Sequence, residues 1–241
     1  KIYLTYLRNF NKDLKNDCYN LAVLESNTLN KINFSDEKIK IKFDVLFQFE
    51  EKCSPVLINN TNQNGGRLEK INGDFYITVG DFKVPGIAQK EESNFGKIIK
   101  FTKNSKNEYQ IISKGDRNPQ GLFYDEDKKY LLSTEHGPKG GDEINLIDLN
   151  SLKNYGWPIA SYGTHYDGGY RPEAPLYKSH KDRGFEEPIW YFDYEQSNLH
   201  GISDVANNYF FEGDNFFVAT LKGNSIYQVN VDIEGKKINS L

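Results

Sequence analysis

The residues with the most chemical capacity in this chain lie between Arg117 and Pro158. The stretch opens with Arg117-Asn118-Pro119-Gln120-Gly121-Leu122. It continues as Glu135-His136-Gly137-Pro138-Lys139-Gly140-Gly141-Asp142-Glu143-Ile144-Asn145 and closes on Asn154-Tyr155-Gly156-Trp157-Pro158. So many Gly, Pro and charged residues between apolar runs suit a loop surface that touches a ligand and is carried on strands. A guanidinium, side-chain amides and paired acids offer recognition by charge and hydrogen bonds. The 4 histidines and 2 cysteines show no zinc spacing. Gly156-Trp157-Pro158 reads as a rigid corner, so Tyr155 and Trp157 are expected to pack this loop more than to touch a ligand.

The elements that must hold these loops are strands. Ile2-Tyr3-Leu4-Thr5, Phe75-Tyr76-Ile77-Thr78, Tyr130-Leu131-Leu132-Ser133 and Phe216-Phe217-Val218-Ala219 repeat one pattern: two large residues, an aliphatic and a small residue. The last three each follow a turn, at Asn72-Gly73-Asp74, Asp125-Glu126-Asp127 and Glu212-Gly213-Asp214. The runs are rich in β-formers and bounded by turn residues. Their near-continuous apolarity suits strands packed on both faces. The irregular intervals each accommodate one to two four-stranded units of the ~40–50 residues typical of propeller blades. Equivalent strands of a propeller end on one face near its axis, so the residues that follow each copy, Gly80-Asp81, Glu135-His136 and Leu221-Lys222, are expected to converge on one funnel. Ser151-Leu152-Lys153 could form a single helical turn. Residues 163–187 are polar and read as a long insertion loop over the funnel, with His165 and His180 facing solvent.

The bulk numbers fit one large all-β domain. Among 241 residues, 37% are hydrophobic and 27% charged, with 16 Tyr and 16 Phe, a globular composition. A net charge of -4 gives no reason to expect nucleic acid. No apolar run approaches the ~18–20 residues of a membrane helix. There is no Met, and the chain starts on a strand-like run, so a fragment cut at both ends is expected. Antiparallel pairing of the runs Leu21–Leu24 and Ile39–Phe49 would bring Cys18 and Cys53 together, either as the disulfide of an exported protein or as two unrelated thiols.

With Gly65-Gly66-Arg67-Leu68, Tyr76–Asp81 and Leu221-Lys222-Gly223 added, the Arg117–Pro158 motifs resemble the soluble quinoprotein glucose/sorbosone dehydrogenases. The resemblance covers roughly Lys1 to Val231. It implies a six-bladed β-propeller, of which a single domain over residues 1–241 would supply about four to five blades. It also implies pyrroloquinoline quinone and Ca2+ as cofactors, a small-molecule sugar substrate, a soluble electron acceptor, and a periplasmic or secreted location. By this resemblance Arg117 and Asn118 contact the cofactor, and Lys222 pairs with one of its carboxylates. The carbonyls of Gly137 and Pro138 hold the catalytic calcium. Glu143 and the Tyr155 carbonyl hold a second, structural one. The match fits the chemistry: an arginine fork suits oxygens that gain charge on reduction, and carbonyls suit a hard cation. For Asp142 and Glu143 the alternative is turn capping.

The chain departs from the family where the proton should go. The family's general base, a histidine, falls at Gln63, and a primary amide is not basic near neutral pH. Asp81 matches the acid that orients the missing histidine. No histidine precedes His136, whose role reads as structural. Asp81 itself or His200 could substitute as base. The loop Asp193–Asn198 replaces neutral residues with acids beside a tricarboxylate. Three expectations follow. The first is oxidation of the C1 hydroxyl of an aldose, with hydride passing to the quinone. The second is an inactive propeller that binds carbohydrate or protein. The third is a calcium-dependent lactonase, for which Asn118 and Asp142 would have to converge on a metal.

Overall fold

The computed structural model describes residues 1–9, 19–27, 35, 38–49, 62–103, 105, 107–192, 205–210, 215–221 and 223–240, with 205–210 described by their backbone. Cys18, Cys53, the loop 193–198, His200, the turn Glu212–Asp214 and Lys222 lie outside the described residues.

Among those residues the chain forms four sheets in chain order. The first contains β1 (Tyr3–Asn9), β2 (Tyr19–Ser26) and β3 (Phe43–Gln48). The second contains β4 (Gly65–Ile71), β5 (Asp74–Val79), β6 (Lys97–Phe101) and β7 (Gln110–Lys114). The third begins with β8 (Pro119–Asp125), β9 (Tyr130–Glu135) and β10 (Asp142–Ile147). The chain then returns to the second sheet, where β11 (Lys153–Asn154) pairs parallel with β7. After the excursion it completes the third sheet with β12 (Trp190–Phe192), antiparallel to β10. The fourth sheet is β13 (Val205–Phe210), β14 (Asn215–Thr220), β15 (Ile226–Asp232) and β16 (Lys237–Ser240). All other neighbours are antiparallel. The short helical pieces are 3-10 turns at Pro85–Gln89 and Lys181–Arg183. Residues 151–153, expected to make a helical turn, instead lead into β11. A two-residue strand depends on its partner, the exposed edge of β7, and leaves almost no local signal.

The apolar repeat is read correctly as strand. Three copies lie in β5, β9 and β14, each the second strand of its sheet. The copy Ile2–Thr5 differs: it runs into β1, which ends the strand order of its own sheet. The strand pairing expected between the runs near Leu21 and Phe47 is present as β2–β3, in which Val23 faces Phe47. The Asn72-Gly73 turn joins β4 to β5, with Ile71 opposite Asp74. Its two central residues have φ 51° and 95°, the left-handed pair that a tight hairpin requires. At the next turn the Asp125 carboxylate accepts from the backbone N–H groups of Asp127 and Lys128, both at 2.9 Å.

Each central sheet buries both faces, and side-chain alternation divides them. From β5, Phe75, Ile77 and Val79 pack toward β2 and β3 of the first sheet, whereas Tyr76 packs toward Leu122 and Leu131 of the third. In β9, Leu131 faces the second sheet and Tyr130 and Leu132 face the fourth. The sheets therefore stack face to face in sequence order, with β1 against β4, β4 against β8 and β8 against β13. That line of first strands lies beside the loops 63–65, 80–83, 117–118 and 136–138. The outer core is aromatic: Phe101 stacks between Phe47 (4.1 Å between centroids) and Phe75 (5.3 Å). Truncating it empties a space shared by two sheets. Phe101→Ala should cost about 3–5 kcal/mol of unfolding free energy, measured by reversible urea denaturation. A loss below about 1 kcal/mol would mean that this stack does not join the first two sheets.

Candidate functional site

Arg117 sits at the start of β8, and its main chain ties three loops together. Its carbonyl accepts from Asp81 N–H at 2.8 Å, its N–H donates to Glu135 Oε2 at 2.8 Å, and the next residue's carbonyl accepts from His136 N–H at 3.2 Å. The side chain is buried. Its Nη1 donates to the His136 carbonyl at 2.7 Å, and its guanidinium lies over the Trp157 ring, 5.2 Å from the centroid. With the Gln63 amide in the orientation its neighbours require, Gln63 Oε1 accepts from Arg117 Nη2 and Gln63 Nε2 donates to Asp81 Oδ1, both at 2.8 Å. Arg117 Nε is buried without a hydrogen-bond partner.

Asp81 is fully buried and anchors this chain of contacts. Its Oδ1 also accepts from Lys83 N–H at 2.8 Å, and its Oδ2 accepts from Trp157 Nε1 at 2.8 Å. Burial pushes its carboxyl up to about 6, against the opposing pull of the Arg117 charge. Asp81 thus keeps an orienting role, now toward an amide and an indole. It lies sealed beneath Gln63 and Trp157. Trp157 packs as expected and also forms cavity wall. Tyr155 is buried, its hydroxyl donating to the Leu146 carbonyl at 2.8 Å.

Two adjoining cavities of about 570 and 510 Å³ meet at Gln63, Lys83, Arg117 and Tyr166. Pro138, Trp157 and His165 line the first; Asn118, Gly137, His136 and Leu221 line the second. The expected convergence of the loops after β5 and β9 is therefore present. Leu221 reaches the same place. Asn118 Oδ1 accepts from Gly65 N–H at 3.2 Å, leaving its amide nitrogen as the group it can offer. Lys83, Arg171 and Tyr166 had no signal in the sequence: each is a single polar or aromatic residue in a loop whose course only the fold defines.

Gly137–Gly141 form a tight turn, in which the Gly137 N–H donates to Asp142 Oδ1 at 2.7 Å. A Cβ on Gly141 would lie 2.0 Å from the nitrogen of Gly163, so the insertion packs backbone on backbone against the turn. The insertion is fastened by reciprocal Lys139–Thr164 backbone bonds of 3.0 Å, by Tyr162 stacked on Tyr191 at 3.5 Å, and by Lys178 Nζ donating to the Tyr162 and Gly163 carbonyls, both at 2.7 Å. Its histidines do not face solvent as expected. His165 lines the first cavity. His180 is buried, with Nε2 3.4 Å from Glu143 Oε1, and burial lowers its pKa. Tertiary packing of a polar segment decides both, and periodicity carries no trace of it. His136 accepts from Arg117 at its carbonyl and sets its Nε2 2.8 Å from Gln120 Oε1.

Glu143 is buried beside Glu135. Burial first and then the Glu135 charge push it well above the usual carboxylate range. Among the described residues, no group of three or more His, Cys, Asp or Glu side chains comes together as a metal site. A cation at this wall would depend on main-chain oxygens. The convergence of acids and amides that a lactonase needs is not found among the described residues: Asn118 Oδ1 and Asp142 Oδ1 each accept from a backbone N–H.

The raised Asp81 carboxyl gives a signed pH effect. The folded protein holds this proton more tightly than the unfolded chain, so the stabilisation is fully present below the unfolded pKa near 3.8 and is lost as pH rises through about 6. In denaturation series from about pH 3 to 7, wild type should lose roughly 3 kcal/mol relative to Asp81→Asn, about two units at ~1.4 kcal/mol each. A difference that does not vary with pH would contradict the buried placement of this carboxyl.

Known proteins bear on this geometry. The family model for glucose/sorbosone dehydrogenase matches residues 1–240. The aldose sugar dehydrogenase YliI of Escherichia coli K12 is 31% identical over 195 residues, covering 73% of this chain and 49% of that protein. Quinoprotein glucose dehydrogenase B of Acinetobacter calcoaceticus is 31% identical over 136 residues, covering 54% of this chain and 26% of that one. The chain thus spans about half the length of YliI or less of such relatives. The apo crystal structure of the soluble E. coli aldose sugar dehydrogenase superposes with a TM-score of 0.74 at 26% identity, covering 99% of this chain and 66% of that one. A PQQ-bound aldose sugar dehydrogenase from Streptomyces coelicolor shares the fold at a TM-score of 0.60 and 20% identity, covering 94% and 60% of the two chains. With its motifs gathered on one wall and the family model matched along almost its whole length, this chain belongs to the glucose/sorbosone dehydrogenase family.

Proposed function

We propose that this chain is part of a six-bladed propeller that oxidises the C1 hydroxyl of an aldose or related sugar, using pyrroloquinoline quinone and calcium, in the periplasm or outside the cell, with a soluble electron acceptor completing the cycle. The observation that carries this reading is Arg117: a guanidinium at a cavity wall, fixed on one edge by His136 and Gln63, with Nε buried and unpartnered on another. A buried donor left unpaired is costly, and an anionic acceptor on a bound ligand would satisfy it.

The residues present fit both cofactors. Arg117 and Lys83 on the cavity wall supply positive charge suited to a tricarboxylate, Arg171 being paired with Asp167, and Asn118 adds an amide donor. Lys222 would pair with a carboxylate, next to Leu221 at the second cavity. Gly137 and Pro138 form cavity wall, and their carbonyls are the hard oxygen donors that calcium takes. Glu143 would hold a second calcium with the Tyr155 carbonyl, which would neutralise a buried acid already in conflict with Glu135. The bound quinone supplies an ortho-quinone that accepts a hydride. The protein's own part is to hold Arg117 rigid through Gln63, Trp157 and the His136 carbonyl, so that its charge is aimed before a ligand arrives.

One observation favours a second reading, a propeller that binds sugar without oxidising it. Both polar ends of the Gln63 amide are engaged, one by Asp81 and one by Arg117, and neither can take a proton.

Reconstitution of the protein with the quinone and calcium separates the two. Quinone absorbance should bleach on addition of at least one member of a panel of aldoses and polyols. Sugar binding by calorimetry with no bleaching across the panel would select the second reading. Arg117→Ala should weaken quinone binding by about 10- to 100-fold, the worth of a charge-assisted hydrogen bond. Unchanged affinity would remove Arg117 from the cofactor site.

A further inference from the structure

We infer that His165 is the general base of this site, taking the proton that Gln63 cannot. The inference rests on the oxidation proposed above. It starts from the hydrogen bond of 2.7 Å between His165 Nε2 and the Ala174 carbonyl. A carbonyl only accepts, so Nε2 must carry the proton, and the neutral ring then has its lone pair on Nδ1. Among the described residues Nδ1 has no hydrogen-bond partner. A ring fixed in this tautomer presents the Nδ1 lone pair as a proton acceptor.

The ring lies on the wall of the proposed site. His165 lines the same cavity as Gln63, Arg117 and Trp157. Its neighbour Thr164 is bonded in both directions to Lys139, adjoining the Gly137-Pro138 turn. The His165 carbonyl accepts from Gly168 N–H at 3.0 Å, closing the turn that carries it. Ala174, which orients the ring, is buried. The nearby carboxylate of Asp167 is occupied elsewhere, accepting from Arg171 Nη2 at 2.7 Å and from Gly169 N–H at 3.0 Å. Of the two bases the sequence offers, Asp81 is sealed beneath Gln63 and Trp157, and His200 lies outside the described residues.

The step balances. The sugar's C1 O–H bond breaks and its proton passes to His165 Nδ1. The C1–H bond breaks and hydrogen leaves with its electron pair to the ortho-quinone, the oxidant. The remaining oxygen electrons form the C1=O bond of the lactone. The charged groups that share the cavity with the ring are Asp167, Glu173, Lys83, Arg117 and Arg171.

The test uses the reconstituted protein and whichever aldose is oxidised fastest. His165→Gln should keep quinone affinity within about threefold, lower kcat by at least ~100-fold and lose the acid limb of the pH–rate profile. Adding Gln63→His in the same chain, which returns an imidazole beside Asp81, should restore at least ~10-fold of that loss. A second readout does not depend on turnover: with the reduced quinone bound, the ring 1H–13C signal missing from His165→Gln should shift on adding the aldose. If wild type oxidises the sugar but His165→Gln retains more than about a tenth of kcat, or the ring signal stays fixed at saturating aldose, His165 is not the base and the proposed function stands. If wild type reduces no quinone with any aldose, the oxidation reading fails and this inference falls with it.

Discussion

A buried guanidinium is the constraint around which this site is built. Removing a permanent charge from water is expensive unless oxygens surround it, and Arg117 finds them on three different loops. The His136 carbonyl comes from the end of β9, the Gln63 amide from the approach to β4, and the opposing charge of Asp81 from the end of β5. Trp157 arrives from beyond β11 to cover one face of the group and to cap Asp81. Gln63 and Asp81 flank one pair of strands, Arg117 and His136 flank another, and Trp157 lies farther along the chain. The arginine therefore does more than wait for a ligand: it requires the loop ends to meet.

The sheets make that meeting possible. Strands β5 and β9 are buried on both faces, so successive sheets are locked in register by alternating side chains, and their first strands lie side by side. The loops that leave this line must end near one another. The insertion 163–187 then closes the side left open, held through glycine-to-glycine backbone contact with the Gly137–Gly141 turn. The proposed cofactor site, calcium ligands and base are thereby set on elements whose positions depend on the same packing.

Much of this was legible in the sequence, for physical reasons. Near-continuous apolar runs rich in β-formers, bounded by turn residues, marked the strands, and Asn72-Gly73 marked its hairpin because few other pairs tolerate two left-handed residues. The Arg117 and Gly137 motifs were visible because close backbone approach demands Gly and Pro in order. What the sequence hid was tertiary. Strand β11 exists only because the edge of β7 is free to pair with it. The polar segment holding His165 and His180 looked solvated, yet one ring lines a cavity and the other is buried, since Tyr162, Lys178 and Thr164 fasten the segment down. Gln63 looked like a lost base; its geometry shows an amide that keeps Asp81 and Arg117 connected without doing proton chemistry.

A crystal structure of the protein with pyrroloquinoline quinone and calcium bound tests the central claim most directly. The account predicts an acceptor oxygen of the quinone within hydrogen-bond distance of the Arg117 guanidinium, with Gln63 still bridging Asp81 and Arg117 and the His136 carbonyl still on Nη1. A quinone seated away from Arg117, or an Arg117 side chain released from His136 and Gln63 in the complex, would contradict it.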